Sequence, residues 1–118
     1  MRKCFFIDID GTILEHIQDF ENITKYRTLP ALPGAREKTV EWHCKGHQII
    51  LTTARPESLR EITEEQLHNA GVIYDMLLMG IGSGPRILIN DIAIAGTEKA
   101  IAYNVKRNID GLQHINEY

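Results

Sequence analysis

The chain of 118 residues has no long hydrophobic run. Its apolar stretches hold about half a dozen residues at most, far below the ~20 that a membrane-spanning helix needs. A secretory leader is not expected either, because Cys4-Phe5-Phe6-Ile7 is interrupted by Asp8 and Asp10 before an apolar segment of the required length can form. Cysteine is scarce. Cys4 and Cys44 make neither a CxxC pair nor a zinc-ligand spacing, which excludes a disulfide scaffold and points to a reduced, cytoplasmic chain with both thiols as small buried hydrophobes. A positive excess is also missing: 13 Lys and Arg stand against 16 Asp and Glu, for a net charge of -3 and a pI near 5.9. No bulk field draws the chain to a phosphate backbone, so nucleic acid is not an expected partner, nor is a membrane. Internal repeats, low-complexity tracts and linkers are absent.

What is present is ordinary for a globular chain: 43% hydrophobic and 25% charged residues, with a mean hydropathy of -0.21. Residues 1–118 fit one domain with no room for a second. Lys3 to Ile9 reads as a central strand stopped by Asp10-Gly11, and Thr12 to Leu32 as an aperiodic loop or flap. Ala35 to Lys45 predicts a helix, with Val40 and Cys44 at i and i+4, Trp42 and Ala35 nearby, and Gly46 as its C-terminal cap. His47 to Thr52 predicts a second strand, and Pro56 opens a second helix that runs to Ala70. Tyr74 to Met79, Arg86 to Asn90 and Ile101 to Val105 complete an expected set of five strands. Alternation of strand and helix implies an α/β fold: a three-layer Rossmann-like sandwich around a mostly parallel sheet, with ligands bound outside the carboxyl ends of the strands.

The informative residues fall at those carboxyl ends. The first strand ends in Asp8-Ile9-Asp10-Gly11-Thr12, the second in Thr52-Thr53-Ala54-Arg55 and the fourth in Asn90-Asp91. Asp8 and Asp10, two apart on a strand, share a face and repel unless a cation or a proton intervenes. Asp91, arriving from another strand, would complete an all-oxygen shell suited to Mg²⁺. His43 and His47, at i and i+4, lack a Glu-x-x-His context and read as structural or solvent-facing.

Taken in order, Asp-Ile-Asp-Gly-Thr, Thr-Ala-Arg-Pro and the acidic position after a later strand resemble motifs I, II and IV of the haloacid dehalogenase superfamily of phosphatases, over roughly residues 3 to 95. The resemblance implies a Mg²⁺-dependent phosphomonoesterase that works through an aspartyl-phosphate. It implies Asp8 as nucleophile and metal ligand, and Asp10 as general acid and then base, with its backbone carbonyl on the metal. Gly11 and Thr12 would shape the turn that holds phosphate. Thr53 would donate to a phosphoryl oxygen, with Thr52 as the alternative if the register slips, and Arg55 would orient the loop or brace the following helix. Asp91 would be the further metal ligand and Asn90 a neutral supporting oxygen.

The sequence departs from the pattern at motif III. Ile81 stands where similar relatives place a lysine, and Arg86 is the cation available to supply that charge. The short Thr12 to Pro33 and Gly80 to Gly84 intervals imply a capless form acting on a phosphorylated sugar or related small metabolite, with a homo-oligomer as one way to close an open site. His16 to Leu32, with Phe20, Tyr26 and Arg27, is the candidate wall or lid. The tail from Lys106 to Tyr118 has too little periodicity to place; packing beneath an edge strand and reaching a partner subunit both stay open. The competing function is a regulatory, receiver-like or degenerate module that binds Mg²⁺ and phosphorylated ligands without turnover.

Overall fold

A computed structural model describes residues 1–116 of the chain, and the end of the tail, 117–118, lies outside the described residues. The opening apolar run forms strand β1 (Cys4–Asp8) and, after helix α1 (Ala35–Cys44), strand β2 (Gln48–Thr52). Helix α2 (Arg60–Asn69), preceded by a single 3-10 turn at Glu57–Leu59, leads to strand β3 (Met76–Leu78). The three strands pair in the order β1-β2-β3, all parallel. Register sets Asp8 beside Thr52 and Thr52 beside Leu78, so the carboxyl ends align. Among the described residues no helix is long and apolar enough to cross a membrane.

A sheet that grows in one direction through right-handed crossovers carries both helices on the same face. That face is the core. Phe5 stacks on Trp42 of α1 with ring centroids 4.0 Å apart, while Ile7, Ile49, Leu51 and Leu67 are buried around them. The stripe that α1 buries is Ala35, Thr39 and Trp42, whereas Val40 is half-buried and Cys44 exposed. Of the residues expected on that face, Ala35 and Trp42 are buried, while Val40 and Cys44 give way to Thr39. A polar Thr39 could take the inward position because its hydroxyl donates to the Ala35 carbonyl at 2.8 Å.

Among the described residues no helix covers the opposite face of the sheet, where Cys4, Phe6 (55% exposed) and Met76 are exposed and Ile50 between them is 8% exposed. Cys44 is exposed on α1, so both cysteines are free and exposed rather than buried. Two layers stand where three were expected. The reason lies after β3, where the Gly80 amide donates to the Arg55 carbonyl and the Ile81 amide to the Thr53 carbonyl, holding 80–81 at the carboxyl end of the sheet. A fourth parallel strand has to start at the amino end, and the four residues 82–85 are far fewer than the dozen or more that such a crossover takes. Residues 86–90 and 101–105 therefore form no strand, and instead make two limbs of an arm that turns at Ala93–Thr97, where the Gly96 amide donates to the Ala93 carbonyl and the Ala93 amide to the Thr97 carbonyl.

The aperiodic 12–32 segment is the largely irregular loop that was expected, and several of its side chains also join the core. Ile13, Leu14, Ile23 and Leu29 are buried, and the segment folds back on itself through the Leu14–Ala31 bridge. Gln66 of α2 fastens it by donating to the Ile23 and Tyr26 carbonyls. Residues 20–25 form a short 3-10 helix. The tail packs at the site end of the molecule, not beneath an edge strand: Leu112 is buried and its amide donates to the Pro33 carbonyl. Gly34 permits that approach, since a Cβ there would sit 2.7 Å from the Gln113 nitrogen.

Candidate active site

An open cavity of about 290 Å³ lies at the carboxyl ends of the strands. Asp8, Asp10, Arg55, Arg86, Arg107 and Phe20 are among its walls. A second depression of similar size, between Thr24 and α2, is lined by Glu61 and Glu65, the latter paired with Arg27 at 2.6 Å.

Asp8 closes β1 and its side chain is 44% exposed. Burial of the rest pushes its carboxyl above the ordinary aspartate range, against the pull of Arg86, and the Asp10 charge adds to the rise. The Arg86 guanidinium stands 3.8 Å from Asp8 Oδ1, and Thr12 Oγ1 donates to Asp8 Oδ2 at 3.3 Å. Gly11 makes the turn at φ +88°, its amide donating to the Leu14 carbonyl.

Asp10 is held differently. Arg55 grips it with a two-pronged contact, Nε to Oδ2 at 3.0 Å and Nη2 to Oδ1 at 2.7 Å. The remaining prong of Arg55, Nη1, donates to Thr63 Oγ1 and to Gln66 Oε1 on α2. Arg55 is 2% exposed and lies over the Phe20 ring at 5.7 Å, so one buried cation ties the acidic turn, α2 and the folded-back segment together.

Thr53 is buried, and its Oγ1 accepts from the Arg55 amide at 3.1 Å, which shapes the loop; it is not part of the cavity wall. Thr52 is the residue in register with Asp8. Asn90 and Asp91 ride on the exposed arm, where Asp91 pairs with Lys99 at 3.5 Å with its side chain 79% exposed, and neither lines the cavity. Among the described residues no three His, Cys, Asp or Glu side chains gather as a metal-binding group. Among the described residues no backbone amide is bonded to the Asp10 carbonyl, so that carbonyl and the Asp8 carboxylate are the oxygens free to hold a hard cation, and Mg²⁺ is commonly held by one or two protein carboxylates with waters and a substrate phosphate for the rest.

Sequence reasoning did not single out Arg107, Asn108 or Ser83, whereas His16 and Phe20 of the expected wall do line the cavity. Arg107 lines the cavity and packs over Gly11, where a Cβ would come within 2.9 Å of its Cγ. Asn108 seats it: the Asn108 amide donates to the Gly11 carbonyl, its Oδ1 accepts from the His16 amide at 2.7 Å, and its Nδ2 donates to the His16 carbonyl at 2.9 Å. Asn108 has φ +60°, a conformation that asparagine tolerates better than most residues. Asn108→Ala is expected to lower stability by about 1–2 kcal/mol. Asn108→Gly keeps the backbone conformation and loses only the side-chain bonds, so thermal melts of the pair separate the two contributions.

No family model matches the chain, and no curated protein matches it. Solved structures do. A Vibrio cholerae protein known from its crystal structure is 24% identical, with 78% of this chain and 82% of that one aligned at a TM-score of 0.54. A chain of the Pnkp1/Rnl/Hen1 RNA repair complex is 26% identical with a TM-score of 0.58, covering 72% of this chain and 27% of that one. The D,D-heptose 1,7-bisphosphate phosphatase of B. bronchiseptica, crystallised with magnesium and phosphate, is 19% identical with a TM-score of 0.52, covering 69% of this chain and 51% of that one. The chain thus spans about a quarter of the repair-complex chain and half of the heptose phosphatase. The likeness is one of architecture: this chain shares an α/β fold with these proteins.

Proposed function

We propose that the protein is a Mg²⁺-dependent phosphomonoesterase acting on a small phosphorylated metabolite, a phosphosugar being the leading candidate. The observation that carries the reading is the meeting of Asp8 with two arginines, Arg86 and Arg107, in one open cavity beside the turn that holds Asp10. A carboxylate nucleophile needs its charge offset before a phosphate dianion can approach, and this cavity offers cations for that purpose.

In the proposed reaction an Asp8 carboxylate oxygen bonds to phosphorus as the bond to the substrate oxygen breaks. Asp10 gives its proton to the departing alkoxide. Asp10 then takes a proton from water as that water attacks the aspartyl-phosphate, the Asp8–phosphorus bond breaks, and phosphate leaves. Mg²⁺, held by Asp8 and the Asp10 carbonyl, would supply charge neutralisation and orientation of the phosphoryl group. Asp91 is the remaining candidate ligand and reaches a site only by movement of the arm. For Asp10 to act as an acid, one of its oxygens must leave Arg55 when substrate arrives; such rearrangement between free and substrate-bound sites is common.

That grip also favours a second reading, in which the domain binds phosphorylated ligands without turnover. One assay separates the two. Phosphate release from p-nitrophenyl phosphate and a sugar-phosphate panel is expected with Mg²⁺ and not with EDTA; saturable ligand binding without release would support the second reading. Arg86→Ala is expected to lower kcat/KM at least about tenfold. An unchanged rate in that variant would remove Arg86 from the mechanism.

A further inference from the structure

We propose that residues 86–105 are an exchange arm, which in a homodimer lies along the free edge and open face of β1 in a second copy of this chain. The inference is independent of the phosphatase reading.

Three observations meet. First, the arm is apolar and uncovered: Ile87, Ile89, Ile92, Ile94 and Ile101 are 83, 86, 65, 109 and 54% exposed. Between Ile87 and Val105 only Asp91, Glu98 and Lys99 carry charge, so the arm lacks the protection that exposed apolar strands usually have. No backbone hydrogen bond joins residues 86–92 to any other described segment. Second, β1 pairs with β2 on one side only, and its other edge and outer face, with Cys4 and Phe6, are bare. The limb and the edge each carry unpaired amides and carbonyls beside unburied apolar side chains, and each lacks what the other offers.

Third, the arm of the same chain is badly placed to fill the gap. Its root is fixed at the carboxyl end of β1: Arg86 stands by Asp8, and Asn108 bonds to Gly11. Pro85 stiffens the approach to that root. Beyond that root the isoleucines of the arm stay exposed, and the molecule measures 50 Å along its long axis against 28 and 24 Å across. Its radius of gyration, 14.6 Å, exceeds the roughly 13.5 Å of a compact chain of this length. A limb of seven residues reaches roughly 23 Å, enough to cover a five-residue strand of a neighbour.

The areas suffice. Five or six side chains per arm at roughly 100 Å² each, buried twice over by reciprocal exchange with a matching area on the receiving faces, give roughly 2,000 Å², above the ~1,600 Å² of a standard stable interface. A two-fold operator closes such an exchange without leaving an open end. Because Arg86 and Arg107 at the root also line the cavity, the partner would be held at the rim of the site.

Sedimentation velocity of the full chain should show a species of twice the 13.4 kDa chain mass, and Ile87→Glu/Ile89→Glu should sediment at the chain mass. Independently, a photo-cross-linking p-benzoylphenylalanine at position 89 of the otherwise unchanged chain should link to residues 2–8. In a mixture of isotope-labelled and unlabelled copies, those links should join labelled to unlabelled peptides. A monomeric wild-type protein, a dimer that survives the double substitution in folded form, or cross-links confined to one chain would each overturn the proposal. The cross-linking result stands even if the double variant does not fold.

Discussion

Arg55→Met is expected to destabilise the protein by about 3–5 kcal/mol, the loss typical when one member of a buried ion pair is removed and its partner stays behind. Arg55 is fully buried at its side chain and meets Asp10, Thr63 and Gln66. Methionine fills much of the volume but leaves Asp10 and two polar side chains of α2 without their donor. Against a total stability of about 5–15 kcal/mol, the melting temperature should fall by more than roughly 10 °C. Arg55→Lys should recover only a fraction, because an ammonium reaches Asp10 or α2 but cannot present a flat fork to both. Adding Asp10→Asn to Arg55→Met should return part of the loss by removing the stranded charge. A melting temperature within about 3 °C of wild type in Arg55→Met would show that the cluster does not brace the site.

This cluster marks where sequence reasoning ends. Asp8 and Asp10 were legible because two acids at the end of an apolar run, followed by Gly-Thr, are costly anywhere but at a working strand end. The strands β1 and β2 and both helices were legible from their apolar runs and their Gly and Pro punctuation, to within a few residues. Arg55 was legible as a brace, but not its grip on Asp10 from 45 residues away. Asn108 was out of reach for the same reason: it bonds to His16 across 92 residues, and no local pattern announces it.

Elsewhere, composition misled. Arg86 to Asn90 and Ile101 to Val105 have the make-up of buried strands, yet an apolar run states only that a segment needs cover, not which chain provides it. The fold supplies the missing fact, because residues 80–81 are tied to the loop after β2 and a parallel fourth strand cannot begin from there. The 12–32 segment is the irregular loop expected, but its buried residues could not be picked out. It lacks periodicity because each of its buried residues is fixed by a separate turn or bridge, so no pattern marks them.

Asp8→Asn is expected to abolish turnover and at the same time to raise the melting temperature in metal-free buffer. The two effects have one cause. Partial burial lifts the folded-state ionisation of Asp8 above its unfolded value, so the folded chain holds that proton more tightly than the unfolded chain. The stabilisation from the protonated form is complete below the unfolded value and is lost as pH rises through the folded one. At neutral pH the charged carboxylate therefore opposes folding, and a neutral isostere relieves that opposition. Since the side chain is 44% exposed and Arg86 offsets part of its charge, the gain should be small, roughly 1–4 °C. The difference between variant and wild type should shrink on acidification, when wild-type Asp8 takes up its own proton. It should also shrink when Mg²⁺ is added, because the cation stabilises only the chain that retains the anion. Thermal melts of both proteins across pH, with and without Mg²⁺, measure all three effects. A variant that loses activity and also melts lower at neutral pH would mean that Asp8 holds the fold together rather than straining it for chemistry.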